Sequence, residues 1–375
     1  EDMVVTVTQS GYIKRTALAD FRAQKRGGKG LSGMSTKDDD VVTTLFVANT
    51  HTQLLFFTTD GMVYKLKTWR LPQGGRTAKG KAIVNILPIP TGVSIAAIMP
   101  VDRDEEDWDE LQIVFATDKG TVRRNKLSDF TNVKSNGKIA MKFEDENAGM
   151  RLINARICSE DDDVMLFTAK GRAIRFASTD VRVFNSRASV GVRGVLLKGD
   201  DEVVSMSVIR HSDYTPEQRT AYLKMRRAMA GLTDEADESD EDAVADPNFS
   251  TELYAEMSAA ENLILTITAK GSGKLSSSHD YPVRGRGGQG VSAMDKAMRG
   301  GEIVASFPVE MDDQIMLATS KGQSIRVPVE GISFRSRSAG GVKVFDTGKG
   351  ETVVSVAWIA DQGDEDDTAA ADGQS

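Results

Sequence analysis

The sequence predicts an all-β ring of six propeller-like blades, and three observations carry that prediction. A short apolar strand bearing Thr or Ser and ending in Gly recurs as VTVTQSG, LFFTTDG, IVFATDKG, MLFTAKG, ILTITAKG and MLATSKG, with its glycines at Gly11, Gly61, Gly120, Gly171, Gly271 and Gly322. A second strand type lies between these, as DVVTTLFV, GVSIAAIMPV, GMRLINARI, EVVSMSVI, EIVASFPV and TVVSVAWI. The chain opens on the first type and ends on the second, so the sets balance when the last strand, 352–359, closes beside the first, 3–8. Units of about fifty residues with several strands each are the pattern of propeller-like rings.

The hairpin element comes first in each unit. Its glycine follows Ser, Asp or Lys between two β-type runs, which calls for a tight turn with a residue at positive φ. Successive glycines are 50, 59, 51, 100 and 51 residues apart, so one interval holds extra material. From the second strand type to the next glycine the distance is 19 to 21 residues in three units, but Val203 to Gly271 spans 68. The excess places an insertion at 210–261, between blades four and five. Within it Thr215, Pro216 and Gln218 form a helix start with a capping box, and Gly231 is a stop signal. A second short helix is expected over 251–260, with an acidic, apolar-poor loop between the two. The ring then occupies 1–360, and an acidic unstructured tail follows at 361–375.

Charge distributes unevenly over this plan. The formal net charge is −8. Residues 212–261 carry 13 acids against 4 bases, and 361–375 carry 6 acids and no base, so the remainder stands at +7. The loop 102–110 holds 7 more acids against 1 base, which leaves +13 on everything else. The acidic total conceals a basic ring.

Several chemistries are excluded. Cys158 is the only cysteine, which fits a reducing compartment and leaves no internal disulfide. His51, His211 and His279 are scattered without metal-ligand spacing, and no nucleophile with a base and orienting group stands out, so no catalytic residue, metal or cofactor is expected in this chain. There is no run of about 18 uncharged apolar residues and no signal-peptide pattern at the start, so the expected location is cytoplasmic, away from any membrane. The G-x-G-x-x-G string at 28–33 has no βαβ unit around it, and GGRTAKGKA at 74–82 ends in Ala82 where a phosphate-binding loop needs Ser or Thr.

The bases recur at equivalent places. Four residues past the hairpin glycines lie Arg15, Lys65, Arg124, Arg175 and Arg326, with Lys274 three past its own and Lys14 and Arg123 alongside. Equivalent positions in a ring share one circumference, so these residues predict a positive band suited to a long polyanion, duplex DNA above all. The loop AQKRGGKGLSGM belongs to it. Gln24, Lys25, Arg26, Gly27, Gly28, Lys29 and Gly30 combine cations with glycines whose bare backbone lets a phosphate chain come close.

QKRGGKG resembles the signature box of the C-terminal domain of DNA gyrase A, and the six repeats resemble that domain's β-pinwheel, a propeller-like ring with strands exchanged between blades. RGRGGQG, with Arg284 and Arg286, resembles a degenerate second box. The resemblance covers the chain apart from the insertion and the tail. It implies a domain that wraps duplex DNA around its rim, with the box required for wrapping, and so gives chirality to ATP-dependent negative supercoiling. It implies as partners the N-terminal part of gyrase A together with gyrase B, in an A2B2 assembly associated with the nucleoid. The catalytic tyrosine, ATP and magnesium belong elsewhere in that type II topoisomerase, so this chain by itself is non-catalytic. The related ring of topoisomerase IV, which has a degraded box, and a propeller serving only as a protein scaffold are the alternatives.

Overall fold

The computed structural model describes residues 1–21, 42–75, 77–231, 244–295 and 300–359; the QKRGGKG box, most of the acidic loop of the insertion, and the tail lie outside them. Six antiparallel sheets follow one another along the chain, five of four strands and, among the described residues, one of three. The pinwheel expected from the sequence is the architecture found.

Each blade is built on one hairpin. In blade one Asp2–Thr8 pairs with Tyr12–Ala17 on one side and Val42–Asn49 on the other. The second strand type is thus the inner strand of its own blade. The recurring Thr before each turn also has a local reason. Thr8, Thr58, Thr117, Thr168, Thr268 and Thr319 each accept, through the side-chain hydroxyl, the backbone N–H four residues on, at 3.0–3.2 Å. This closes the turn just where the ladder to the inner strand shifts register. The six hairpin glycines all sit at φ between +76° and +94°, a region closed to most side chains.

The fourth, outermost strand of a blade is lent by the next unit. Lys81–Ala82 pairs with Tyr12 and Ile13 of blade one, Lys138–Ile139 with blade two, Val192–Arg193 with blade three, Val291–Ser292 with blade four and Val342–Lys343 with blade five. A glycine precedes each lent strand because the chain crosses very close to the neighbouring blade. At Gly191 a Cβ would stand 2.0 Å from the Val122 carbonyl oxygen, at φ +92°.

The core lies between blades rather than within one sheet. Between blades two and three Phe57, Phe115 and Phe130 meet edge to face at 5.4–5.8 Å beside fully buried Trp108, and comparable apolar layers fill the other junctions. The last strand closes beside the first, as expected, and among the described residues it does so by packing rather than by strand pairing. Val353–Ile359 is the inner strand of blade six, and Ile359 packs with Val4 and Leu45 of blade one.

The insertion is a helix pair seated on blade five. Helix α1 (Pro216–Met229) starts with the capping box of Thr215 and Gln218, and α2 (Thr251–Ala260) is capped by Ser250. Tyr222 stacks on Tyr254 at 5.0 Å and donates a hydrogen bond to Glu261 at 2.7 Å. Arg226 pairs with Glu261 and lies 3.9 Å from the ring of Phe334, in the segment leading to the strand lent to blade five.

Candidate nucleic-acid interface

The repeated cations fall into two groups. Strand alternation sends residues three and four past the hairpin glycine to opposite faces of the sheet. In blades one, three and five the cation three past the glycine collects carbonyl oxygens of the segment leading into the lent strand. Lys14 donates to Gly75 and Ala78 at 2.8 and 2.9 Å, and Lys274 to Ser336, Arg337 and Ala339 at 2.5–3.1 Å. Arg123 donates to the carbonyls of Arg187, at 2.9 Å, Ser189 and Ala140, while its Nε donates to Asn125. Burial is the main cause that pushes the Arg123 guanidinium down, to about 10, and that lowers Lys274 below its ordinary value.

In blades one to four the cation four past the glycine holds the turn that ends the same strand in the next blade. Arg15 donates to the Leu71 carbonyl at 2.9 Å, Arg124 to Val181 at 2.6 Å and Arg175 to Ser278 at 2.8 Å. Arg175 also pairs with buried Asp163, and Lys65 pairs with Glu105 while donating to the Thr131 carbonyl. Arg326 is half-buried, and burial lowers its pKa.

Arg123, Arg124, Arg175 and Lys274 therefore do not form the phosphate-contacting band that their repetition suggests. All four are buried, at 0–5% exposure, with donors engaged by carbonyls and carboxylates. Moving such a group out to a phosphate would strand those acceptors without partners. Their repetition reflects the repeated need to tie one blade to the next.

Arg284 and Arg286 do lie exposed on the rim. The loop that bears them is fixed to the neighbouring blade: Gly287 donates to the Gly194 carbonyl at 2.7 Å, Leu196 to Gly288 at 2.9 Å, and Arg286 to the Arg193 carbonyl at 2.9 Å. The lent strands supply cations that the hairpin spacing does not reveal. Lys81, Arg193 and Lys343 are exposed and Lys138 half-buried, one on four of the five lent strands. A signal for them exists in the sequence as Gly followed within two residues by Lys or Arg, at Gly80, Gly137, Gly191 and Gly341. These strands form the outermost edge of their blades, so their cations stand on the perimeter with Lys79, Lys134 and Arg182, which are exposed in the segments just before them.

Other chemistry is sparse. No group of three or more His, Cys, Asp or Glu among the described residues could hold a metal ion. Burial pushes the Cys158 thiol up to about 12, which leaves it unreactive. His211 is different, since its Nδ1 lies 2.6 Å from Asp163 and its Nε2 2.6 Å from Asp213. Two carboxylates can accept only from the doubly protonated ring. Burial lowers the His211 pKa, but hydrogen bonds and charge from Asp163 and then Asp213 outweigh it, and the net shift is upward. A raised folded pKa gives stability that is fully present below the unfolded value, about 6.5, and is lost as pH rises through the folded value. Urea denaturation at closely spaced pH values is expected to show this loss, and His211→Gln is expected to flatten it.

The family model described as DNA gyrase C-terminal domain, beta-propeller, matches this chain six times, at 2–49, 52–102, 112–154, 162–210, 262–310 and 313–357. The DNA gyrase A protein of Granulibacter bethesdensis is 46% identical over 99% of this chain and 42% of its own length, and that of Rickettsia bellii 42% identical over 98% and 40%. The chain thus spans about two fifths of these relatives. Among solved structures, the C-terminal domain of DNA topoisomerase IV superposes with a TM-score of 0.68 at 23% identity, covering 96% of this chain and 94% of that one. A DNA gyrase A C-terminal domain superposes with a TM-score of 0.63 at 22% identity, covering 96% and 100%. Both show the fold.

Proposed function

The chain belongs to the DNA gyrase C-terminal domain family, a β-propeller, and from that premise we propose that it is the part of a gyrase A protein that binds duplex DNA and wraps it around the ring. The observation that carries this reading is the perimeter of exposed cations on the lent strands, Lys81, Arg193 and Lys343, continued by Arg284 and Arg286. A duplex following this perimeter meets a cation on four of the five lent strands and Arg284 and Arg286 just before the remaining one, and each phosphate neutralised releases counterions without regard to sequence. The box from Gln24 to Gly30 adds three cations in blade one. Bending 20–30 base pairs by 40–90° costs on the order of 1–6 kcal/mol, so contacts must be spread along the whole path to offset it.

In this reading the strand-passing chemistry, ATP and magnesium belong to the rest of a type II topoisomerase, formed with the N-terminal part of gyrase A and with gyrase B as an A2B2 assembly on the bacterial nucleoid. Ligating a nicked circle in the presence of the full chain and reading the linking-number change tests wrapping directly. A change of one sign that grows with protein is the expected result. Binding with a flat salt dependence, or binding without a linking-number change, would count against it.

The tail offers a separate expectation. Residues 361–375 carry six acids directly after the ring's last strand, and a tethered anionic segment has a high effective concentration beside a cationic rim. Deleting 361–375 is expected to tighten DNA binding at low salt. The difference should shrink as the Debye length falls from about 30 Å at 0.01 M to about 8 Å at 0.15 M; identical binding curves at low salt would show that the tail does not compete.

A further inference from the structure

One side of the ring carries the connections that pass from blade to blade. Asp2 pairs with Asn49 and Gln53 with Val101, so each inner strand ends where the next hairpin begins. The outer hairpin strand ends on this side too, in a single helical turn: Thr68–Arg70, Leu127–Phe130, Ser178–Asp180, Ser278–Asp280 and Val329–Gly331, with residues 18–21 in blade one. Nine residues past the hairpin glycine these turns carry Asp20, Asp129, Asp180 and Asp280, and blade six has Glu330 eight past. Blade two has Arg70 in that place.

The departure has company. The Arg70 guanidinium lies 4.9 Å from the Trp69 ring, and Trp69 is 46% exposed. Lys67 and His51 are exposed beside it. The connection under this turn, 49–53, contains no acid, whereas 102–111, 159–162 and 310–313 all do. The turn is held in place, for the Trp69 backbone N–H donates to the Thr50 carbonyl at 3.0 Å and the Leu71 carbonyl accepts from Arg15. The other half-exposed tryptophan, Trp358, instead donates to a carboxylate, that of Asp313, at 2.7 Å. From Arg70 the chain runs straight into the rim segment with Lys79 and Lys81.

We propose that Lys67, Trp69 and Arg70 form a contact for duplex DNA at the edge of blade two, where the duplex leaves the rim and turns over the side bearing the connections. The two cations meet phosphates, and the indole offers a flat apolar surface to the sugar–phosphate wall. The acids at the equivalent turns repel the duplex elsewhere, so the charge reversal at Arg70 marks where it crosses. This contact rests on the DNA-wrapping reading and names where the path departs from the circumference.

Fluorescence of the full chain tests it, with the contribution of Trp69 taken as the difference between the chain and its Trp69→Phe variant. Duplex DNA at low salt is expected to change the Trp69 emission, and added salt to restore it. Arg70→Asp installs the residue type that the sibling turns already accommodate, so the ring should fold as before. It is expected to lower the log–log salt slope by about 1, the loss of one phosphate contact. Saturable binding with unchanged Trp69 emission and an Arg70→Asp slope equal to that of the parent would overturn this contact and leave the wrapping reading standing. Failure of the parent chain to bind duplex DNA at all would overturn both.

Discussion

Arg123→Ala is expected to destabilise the folded chain by several kcal/mol, since each buried acceptor left unsatisfied costs about 1–3 kcal/mol, while leaving the salt dependence of DNA binding unchanged. The guanidinium is fully buried; its loss strands the carbonyls of Ala140, Arg187 and Ser189 and opens a void over the Phe115 ring, 4.9 Å away. Arg193→Ala, on the exposed lent strand nearby, should do the reverse. Its effect on stability should stay within about 0.5 kcal/mol, and the log–log salt slope should fall by about 0.9 if the residue meets one phosphate. Urea denaturation and salt titration of DNA binding, on both variants, separate the cations that tie blades together from those that face the solvent. A lowered slope for Arg123→Ala with undiminished stability would reverse the assignment.

Replacing Lys25, Arg26 and Lys29 together by Ala is expected to abolish the linking-number change while weakening DNA binding much less. The perimeter cations Lys81, Arg193, Arg284, Arg286 and Lys343 remain, so a duplex still finds the rim. Chiral wrapping asks for more, because the elastic cost of the bend accumulates along the path and must be met at each point of it. A gap in blade one releases the duplex there, and the remaining contacts hold it without a complete turn. Binding isotherms and nicked-circle ligation on the same preparation give both quantities. Parallel losses in affinity and linking-number change would show that the box acts as one more phosphate contact among many.

Much of this architecture was legible in the residues. Hairpin glycines at six regular places required a turn at positive φ, and the Thr before each turn acts within its own hairpin, so both signals are local and survive in the sequence. The start of α1 was equally readable, since Thr215, Pro216 and Gln218 act within one helical turn. The rim cations were within reach as well, through the glycine that precedes each lent strand. Spacing from the hairpin glycine, however, points to the cations on the strand next to them.

Period, turn chemistry and composition are enough for the six-fold repeat, the all-β class, the site of the insertion and the basic character of the ring. Whether a given cation faces water or a neighbouring blade was decided only by the tertiary structure. Lys274 and Lys343 are both lysines in blade five, yet one ends among three carbonyls and the other stands on the perimeter. The difference arises because the segment leading into the lent strand covers the first, whereas the second sits on that outermost strand, with no further strand beyond it among the described residues. The strand count called for closure but not for the contacts that make it: Ile359, Val4 and Leu45 are far apart in sequence and meet only once six blades have turned the chain back on its start.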